Sequence, residues 1–367
     1  MVIKKIDKKN NFAAVFDTKT GFYMRTGILK KVDGEIIETD EDPFMTDFPE
    51  LLDIGIMGTC VHGSSGLCIK SGIQCYQNGL GKKKPNMNIT DFENIIKQCK
   101  NKVFQAALGG RGDPNKHEEF ENILRICREN NIVPNYTTSG LALTDEEVYL
   151  TKKYCGAVAV SEYFSEYTRT AIKKFVEAGC KTNIHFVIGK QTIDKAIDKL
   201  KNKSFDEGIN AVIFLLHKPV GLGERKFMLD PEDPRIREFF ELIDSEVFPF
   251  KIGFDSCTVP ALINFTKNLD ARSFDTCEGG RWSAYIDSDM NMMPCSFLND
   301  NPAFSVSLKE KTIYEAWHSE QFEAFRKSLS GSCIKCPNQK QCMGGCPIVR
   351  DIVLCNRAEK EQKKLAI

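Results

Sequence analysis

The 367-residue sequence lacks both a net charge and a long apolar run. Lysine and arginine total 50, and aspartate and glutamate also total 50, so no net electrostatic field attracts a nucleic acid or an anionic membrane. No stretch approaches the roughly 20 consecutive apolar residues of a transmembrane helix, and the lysine-containing N-terminus has no apolar run behind it. We therefore expect a cytoplasmic protein with neither a nucleic-acid partner nor a membrane partner.

Cysteine, by contrast, is abundant, with 15 residues. A chain of this length buries a sizeable core without disulfides, so ligation of metal by thiolates is the better interpretation. Some cysteines stand alone within apolar patterns, where a thiol behaves as a small hydrophobe, and these are expected in the core. They are Cys99, Cys127, Cys155 and Cys180.

From residue 51 onward, short β-branched runs alternate with amphipathic segments, as in βα units around a parallel sheet. The expected strands cover residues 51–58, 103–109, 132–138, 156–162, 181–189, 209–217 and 248–255. Because six or seven units are fewer than the eight of a complete barrel, the sequence predicts an α/β fold with a partial, TIM-like (β/α)6 barrel over residues 50–256. Its catalytic groups should gather at the C-terminal ends of the strands. In residues 1–49 we predict a β-hairpin that turns at Thr18 to Gly21.

A first cysteine group follows the first predicted strand, on the glycine- and serine-rich loop GTCVHGSSGLCIKSGIQCYQNG. Its members are Cys60, Cys68 and Cys75. Three thiolates can hold three irons of a [4Fe-4S] cluster and leave the fourth iron open to a small molecule. A tetrahedral zinc site that adds His62 to the three cysteines is the alternative.

The position of this loop, with Tyr76 directly after its last cysteine, resembles the cluster loop of radical S-adenosylmethionine (SAM) enzymes. The spacing here is longer than the C-x3-C-x2-C usual in that family. The resemblance implies that the amino and carboxylate groups of SAM chelate the open iron. It extends along the chain, since ALGGRGDP matches the glycines and proline of the family's Gly-Gly-Glu-Pro motif, and TTSG resembles its Thr-Asn-Gly.

These matches imply a set of SAM-binding residues at successive strand ends. They are Gly109 and Gly110 after the second strand, Ser139 after the third and Ser161 at the end of the fourth. His185 on the fifth strand is either a further cofactor contact or a hydrogen-bonded core histidine.

A second cysteine group lies in the C-terminal third of the chain. Its members are Cys277, Cys295, Cys333, Cys336, Cys342, Cys346 and Cys355. Four of the last five form a C-x2-C-x5-C-x3-C run that ends directly before Pro347, and Cys355 follows it. This spacing is typical of two-cluster ferredoxins, in which one cysteine of the run ligates the other cluster. A structural zinc ribbon is the alternative, although seven cysteines fit two tetrahedral sites poorly without a shared ligand.

This segment closely resembles the SPASM extension of radical SAM enzymes, which carries two auxiliary [4Fe-4S] clusters. We place a SPASM-like auxiliary cluster domain over residues 257–367. The resemblance implies one cluster on Cys333, Cys336, Cys342 and Cys355. It implies a second on Cys277, Cys295 and Cys346. Three roles are open for Cys257: a fourth ligand of that second cluster, a hydrogen-atom donor in catalysis or a buried thiol. The second cluster can equally have an open iron that binds a substrate thiol.

The resemblance implies three [4Fe-4S] clusters, SAM and a 5'-deoxyadenosyl radical that modifies a peptide or protein side chain. A thioether or carbon-carbon crosslink in a ribosomally made peptide is the first hypothesis. Peptide epimerisation and sulfatase maturation are alternatives, the latter disfavoured because Ser296 follows Cys295 where that group has Asp. A zinc- or cluster-bearing binding protein is the non-enzymatic alternative. Expected partners are a peptide substrate, a separate leader-binding protein and an electron donor such as flavodoxin or ferredoxin.

Overall fold

The computed structural model describes most of the chain. The described residues are 1–60, 62, 66–80, 83–270, 273–299, 301–329, 333 and 336–355. The last part of the predicted C-terminal domain, residues 356–367, lies outside them.

The N-terminal segment forms more β-structure than the single predicted hairpin. Its strands are β1 (Val2–Asp7), β2 (Phe12–Asp17), β3 (Tyr23–Arg25), β4 (Leu29–Val32) and β5 (Glu35–Glu38). The predicted hairpin is β2 and β3, which pair antiparallel, and β1 adds a third strand along β2. The unpredicted β4–β5 hairpin turns at Asp33 and Gly34, which have φ of 52° and 92°. An Asp-Gly pair with both φ values positive is a strong hairpin signal that the sequence analysis missed.

All seven predicted barrel strands are present and pair parallel in chain order. They are β6 (Leu51–Met57), β7 (Gln105–Gly110), β8 (Val133–Thr138), β9 (Val158–Ser161), β10 (Thr182–Ile188), β11 (Ala211–Leu216) and β12 (Lys251–Phe254). Leu52 and Ile54 join the core under the surrounding helices, while Asp53 between them faces the barrel interior. This two-residue alternation separates the outer face from the interior.

Helices follow these strands. They are α1 (Leu67–Lys70), α2 (Ile89–Cys99), α3 (Phe120–Glu129), α4 (Asp145–Tyr154), α5 (Glu166–Glu177), α6 (Ile193–Lys201), α7 (Pro234–Ser245) and α8 (Val259–Phe265). Thr144 caps α4 in a capping box with Glu147, and Ser165 caps α5. These side chains accept backbone N–H groups that the first helical turn leaves without partners. In the described residues, no helix is both long and apolar enough to cross a membrane.

The C-terminal segment extends the same sheet, which the sequence analysis did not predict. Its elements are β13 (Ser283–Ile286), β14 (Asn291–Met293), β15 (Val306–Ser307), α9 (Ile313–Trp317), α10 (Glu320–Ser328) and α11 (Gln339–Cys342). Strand β13 pairs parallel with β6, so the order among described strands is β12-β11-β10-β9-β8-β7-β6-β13-β14-β15. This pairing places the second cysteine group beside the strand that leads into the first.

The N-terminal sheet covers the end of the barrel where the strands begin. The rings of Phe16 and Phe104 stack with centroids 5.3 Å apart, and the rings of Phe12 and Trp282 meet edge to face at 5.7 Å. Phe104 and Trp282 immediately precede β7 and β13. The open end of the barrel is therefore the other one, where the strands lead into the cysteine loop.

The prediction that four cysteines are core residues is correct for Cys99 and Cys127, which are fully buried. It is wrong in part for Cys155 and Cys180, which are partly exposed and pack against the edge of the core. Cys155 ends α4 and Cys180 precedes β10, and the ends of elements lie nearer the surface than their middles. No disulfide links the fifteen cysteines, all of which lie in the described residues.

Candidate functional site

Cys60, Cys68 and Cys75 lie near one another on the loop after β6. A methyl group placed on Gly79 would lie 3.6 Å from Sγ of Cys60 and 3.5 Å from Sγ of Cys75. Burial raises the pKa of the Cys68 thiol, and the neighbouring thiols of Cys75 and Cys60 add to that shift. The three cysteines are therefore neighbours, and Gly79 leaves room between two of them that a side chain would occupy.

Helix α1 and Tyr163 orient Cys68 within this group. The Cys68 thiol donates to the hydroxyl oxygen of Tyr163 at 3.5 Å, and the hydroxyl of Ser71 donates to the backbone oxygen of Tyr163 at 2.9 Å. Sequence reasoning missed Tyr163, although it follows Ser161 by two residues at a strand end where functional groups were expected. Because the one-turn helix α1 takes up part of the long segment between Cys60 and Cys75, the three cysteines can still serve a single site.

His62 belongs to a buried polar network at the base of the cysteine loop. Its Nε2 lies 3.1 Å from Oδ2 of Asp113 and 3.0 Å from Oγ of Ser139. Ser139 donates its hydroxyl to Oδ2 of Asp113 at 2.5 Å and its backbone N–H to Oδ1 at 2.9 Å. Each of the three is less than a tenth exposed. The network ties the loops after β6, β7 and β8 together, and sequence reasoning did not assign Asp113 to the site.

This network bears on two of the predictions. The zinc alternative needs a ring nitrogen of His62 among the thiols, whereas its Nε2 contacts Asp113 and Ser139. Among the described residues, no three His, Cys, Asp or Glu side chains converge on a single metal-ion position. Ser139, predicted to bind SAM, has its hydroxyl directed at Asp113, and its assignment as a SAM contact stays a prediction.

The two glycines after β7 have different surroundings. A Cβ on Gly109 would meet no atom within 4 Å, so this glycine leaves open space at the strand end. Gly110 has φ of +111°, and a Cβ there would lie 2.5 Å from the backbone oxygen of Met57. Gly110 is therefore required by the close approach of β7 to β6, while Gly109 is the one placed to admit a ligand.

We expect Gly110→Ala to destabilise the protein by about 2–4 kcal/mol, because the methyl group adds a backbone clash to an unfavourable φ. Thermal unfolding of the purified variant measures this loss. Gly34→Ala is the matched control, since Gly34 also has a positive φ of +92° but no atom within 4 Å of the added Cβ. Its cost should be near 1 kcal/mol, the backbone term alone. Equal losses in the two variants would contradict the packing role of Gly110.

Ser161 and His185 lie opposite each other on the adjacent strands β9 and β10. Nδ1 of His185 lies 3.4 Å from Oγ1 of Thr137, and burial lowers the pKa of His185 to about 4, which keeps the ring neutral at neutral pH. His185 lines a cavity of about 320 Å³ that it shares with Phe16 and Lys19 of the N-terminal segment. The structure thus places His185 in the barrel interior, near the end of the barrel that the N-terminal sheet covers.

Four cysteines of the C-terminal part line one cavity of about 850 Å³ beside β6, β12 and β13. They are Cys257, Cys277, Cys295 and Cys346. The thiols of Cys257 and Cys346 act on each other, which raises the pKa of Cys257 and lowers that of Cys346. Burial raises the pKa of Cys277 to about 12, and the nearby Cys257 thiol adds to the shift. The structure thus brings Cys257 to the three cysteines from which it is separated in sequence.

The remaining four cysteines lie near the end of the described chain. They are Cys333, Cys336, Cys342 and Cys355. The N–H of Cys336 donates to the backbone oxygen of Cys333 at 3.0 Å. Burial raises the pKa of Cys342 to about 11, and the thiols of Cys333 and Cys355 add to it.

A tight turn separates Cys342 of this group from Cys346 of the other. Met343, Gly344 and Gly345 have φ of 50°, 80° and 83°. This run of positive φ reverses the chain within three residues, which a sequence of ordinary residues rarely does. The turn places Cys342 and Cys346 on its two sides, and the crossing of this segment between two clusters stays a prediction.

Tyr76 and Asp53 lie between the first group and the four-cysteine cavity. Burial raises the pKa of Tyr76 to about 12, with contributions from Asp53, Cys75 and Cys295. Although 40% of Tyr76 is accessible, its hydroxyl is surrounded by protein, and its ring lies 4.9 Å from that of Phe297. Asp53 lines the cavity, and burial, with a smaller contribution from Glu278, raises its pKa to about 7. Neither Asp53 nor Tyr285, whose hydroxyl approaches Gly55, was predicted from the sequence.

Asp53→Asn is expected to raise the unfolding temperature by about 2–3 °C at pH 8 and by less at pH 5. The folded carboxyl has a pKa of about 7 against 3.8 for the ordinary side chain. Between those values the folded state binds more protons than the unfolded state, so stability falls as the pH rises through that window. Because asparagine does not ionise, Asp53→Asn removes this loss of stability. Thermal scans at both pH values test it, with exposed Asp42→Asn as control, and an unchanged or lower temperature at pH 8 would contradict the burial of an ionised Asp53.

Comparison with known proteins places the C-terminal part in a family. Residues 277–346 match SPASM, an iron-sulfur cluster-binding domain, which confirms the predicted SPASM domain. A search of curated protein sequences finds no significant match.

Solved structures resemble the chain in fold. Streptococcus suis SuiB bound to the precursor peptide SuiA superposes with a TM-score of 0.68 at 16% identity, covering 97% of this chain and 98% of that chain. SuiB bound to SAM has a TM-score of 0.65 at 20% identity, covering 85% and 78%. The protein anSMEcpe with bound SAM and the peptide Cp18Cys has a TM-score of 0.59 at 17% identity, covering 87% and 96%. The predicted α/β fold of a partial barrel with a C-terminal cluster-binding domain is therefore confirmed.

Proposed function

We propose that the protein is a radical SAM enzyme that modifies a side chain of a peptide or protein. The observation that carries this proposal is the meeting of two thiol groups at Tyr76, which directly follows Cys75 and whose ring lies 4.9 Å from that of Phe297, two residues after Cys295. The similarly folded SuiB and anSMEcpe were crystallised with SAM and with peptides. The substrate would enter at the open end of the barrel, between the two groups.

The residues fit the cofactors that this function needs. Cys60, Cys68 and Cys75 would hold one [4Fe-4S] cluster, since Gly79 keeps the space beside two of them clear. Four cysteines would hold an auxiliary cluster in the large cavity: Cys257, Cys277, Cys295 and Cys346. Four would hold another: Cys333, Cys336, Cys342 and Cys355. When bound at the first site, a reduced cluster and SAM supply a 5'-deoxyadenosyl radical for hydrogen abstraction.

The chain itself would orient the reactants and exclude water. Tyr163 fixes Cys68, and the network of His62, Asp113 and Ser139 holds the base of the loop. Gly109 leaves room for SAM at the end of β7, with Ser161 at the end of β9 as a further contact. Aromatic rings on the cavity wall shield the reacting region from solvent. They include Phe250, Phe254 and Phe297.

An oxidative thioether or carbon-carbon crosslink in a ribosomally made peptide is the reaction we propose. Such a product loses two hydrogens, one to the radical and one as a proton, and its remaining electron needs an acceptor, which the auxiliary clusters would supply. The position of Cys257 in the same cavity wall as Cys277, Cys295 and Cys346 supports Cys257 as a ligand over Cys257 as the hydrogen donor of an epimerase. Ser296 after Cys295 speaks against sulfatase maturation. A leader-binding protein and a flavodoxin or ferredoxin would serve as partners.

Anaerobic reconstitution with iron and sulfide, followed by iron counting and a SAM cleavage assay under dithionite, tests the proposal. We expect about twelve irons per chain for three [4Fe-4S] clusters and formation of 5'-deoxyadenosine. A protein that binds zinc and forms no 5'-deoxyadenosine would be a binding protein, and the radical mechanism would be wrong.

A further inference from the structure

Lys218 is a buried cation at the C-terminal end of β11. Its side chain is 2% exposed, and its ammonium group donates to the carboxylate of Asp255 and, at 3.1 Å, to the backbone oxygen of Leu216. The ammonium also lies 4.4 Å from the centroid of the Phe297 ring. Removing an ammonium from water is costly unless such partners hold it in place. The proposed function has so far given this lysine no role.

The ammonium of Lys218 lies beside the four-cysteine cavity. Burial opposes its charge, but Asp255 and then the thiols of Cys257 and Cys346 outweigh burial, so the pKa of Lys218 is raised. Its two side-chain neighbours, Asp255 and Phe297, line this cavity and lie two residues from Cys257 and Cys295 in sequence. Lys218 therefore places a positive charge directly behind the cavity wall.

The cavity itself is strongly acidic. Five carboxylates line it, those of Asp53, Glu246, Asp255, Asp275 and Glu278, whereas no lysine, arginine or histidine is among its described lining residues. A cluster ligated by four thiolates adds further negative charge. Lys218 lies immediately behind this wall and adds its positive charge to those of Arg25, which pairs with Asp275, and Arg281, which donates to the backbone oxygen of Cys277.

We infer that Lys218 raises the reduction potential of the auxiliary cluster held by Cys257, Cys277, Cys295 and Cys346. This inference rests on the proposed function. In the proposed reaction, the substrate radical loses one electron and one proton as the new bond forms, and the cluster gains that electron. A nearby cation stabilises the reduced, more negative cluster, because the charge interaction is weakly screened in the interior. Lys218 is thus a tuning residue, distinct from the ligands.

The test is an EPR-monitored redox titration of the reconstituted protein, in a background where Cys60, Cys68 and Cys75 are alanine so that only auxiliary clusters remain. The signal lost in Cys295→Ala identifies the relevant cluster. At a fixed potential, Lys218→Met should lower the ratio of reduced to oxidised cluster about tenfold, which is 59 mV for a one-electron couple. Lys218→Arg, which keeps the charge, should restore most of the potential.

Asp255→Asn separates electrostatics from structure. Removing this negative charge while Lys218 stays should shift the potential upward, opposite to Lys218→Met, whereas damage to packing would shift both variants in the same direction. Lys199→Met is the control, because Lys199 pairs with buried Glu162 on the outer face of the barrel. An unchanged potential in Lys218→Met with full iron content, or equal shifts in both variants, would overturn the inference. Full iron retention in Cys295→Ala would instead contradict the proposed cluster site itself.

Discussion

Cys75→Ala is expected to reduce the formation of 5'-deoxyadenosine at least about 100-fold. This loss is larger than that expected from mutating a residue that only supports a metal ligand. The thiol lies with that of Cys60 beside Gly79, and its loss removes one of only three proposed protein ligands. Chromatography of the products after anaerobic reconstitution with dithionite measures the rate. The iron content should fall by about four per chain, the complement of one cluster.

Cys180→Ala is the matched control for this variant. Cys180 is also a partly exposed cysteine, but it precedes β10 and lies outside the three thiol groups. Its iron content and cleavage rate should match the unmodified protein. If Cys75→Ala cleaved SAM at the unmodified rate, the loop after β6 would not be the site of the chemistry.

Cys295→Ala should lose about four irons per chain while retaining SAM cleavage within a few-fold, and Cys342→Ala should do the same for the other auxiliary group. Cys295 lines the large cavity with Cys257 and Cys346, and none of the described residues that line this cavity belongs to the loop where SAM would bind. Product formation on a peptide substrate should fall much more than cleavage in both variants, since the electron acceptor is damaged and the radical source is intact.

Iron counting and SAM cleavage on the same preparations check this separation. Equal loss of cleavage in Cys75→Ala and Cys295→Ala would indicate general misfolding, which thermal unfolding of both variants would reveal. Unaltered iron content in Cys295→Ala would show that this thiol holds no cluster.

The long spacing of the first cysteine group has a structural explanation. The residues between Cys60 and Cys75 include α1, which turns Cys68 toward Tyr163, and His62, which is held by Asp113 and Ser139. These contacts come from the loops that follow β7, β8 and β9. An extended loop can thus present three neighbouring thiols, provided that the barrel rim supports it.

Local patterns were sufficient to predict the seven barrel strands, and Thr144 and Ser165 at the starts of α4 and α5 are equally local signals. Strand periodicity and helix capping depend on residues within a few positions of each other, and the sequence shows those directly. The second hairpin was not predicted, although Asp33 and Gly34 form a typical hairpin turn. The reason is that the residues of the flanking strands are mostly exposed, and half of them are charged. Strand β13 was missed because its partner is β6, more than 200 residues earlier in the chain.

The sequence by itself determined the two groups of cysteines and the barrel, since spacing and alternation are local properties. The resemblance to the SPASM extension identified the C-terminal domain and implied the division of the second group. Only the tertiary structure decided that Cys257 joins Cys346, that Tyr163 contacts Cys68 and that Lys218 and Asp53 flank the four-cysteine cavity. Each of these contacts joins residues tens of positions apart or more. They exist because parallel strands bring their ends to one rim and because β13 pairs with β6, so that distant segments share a single wall.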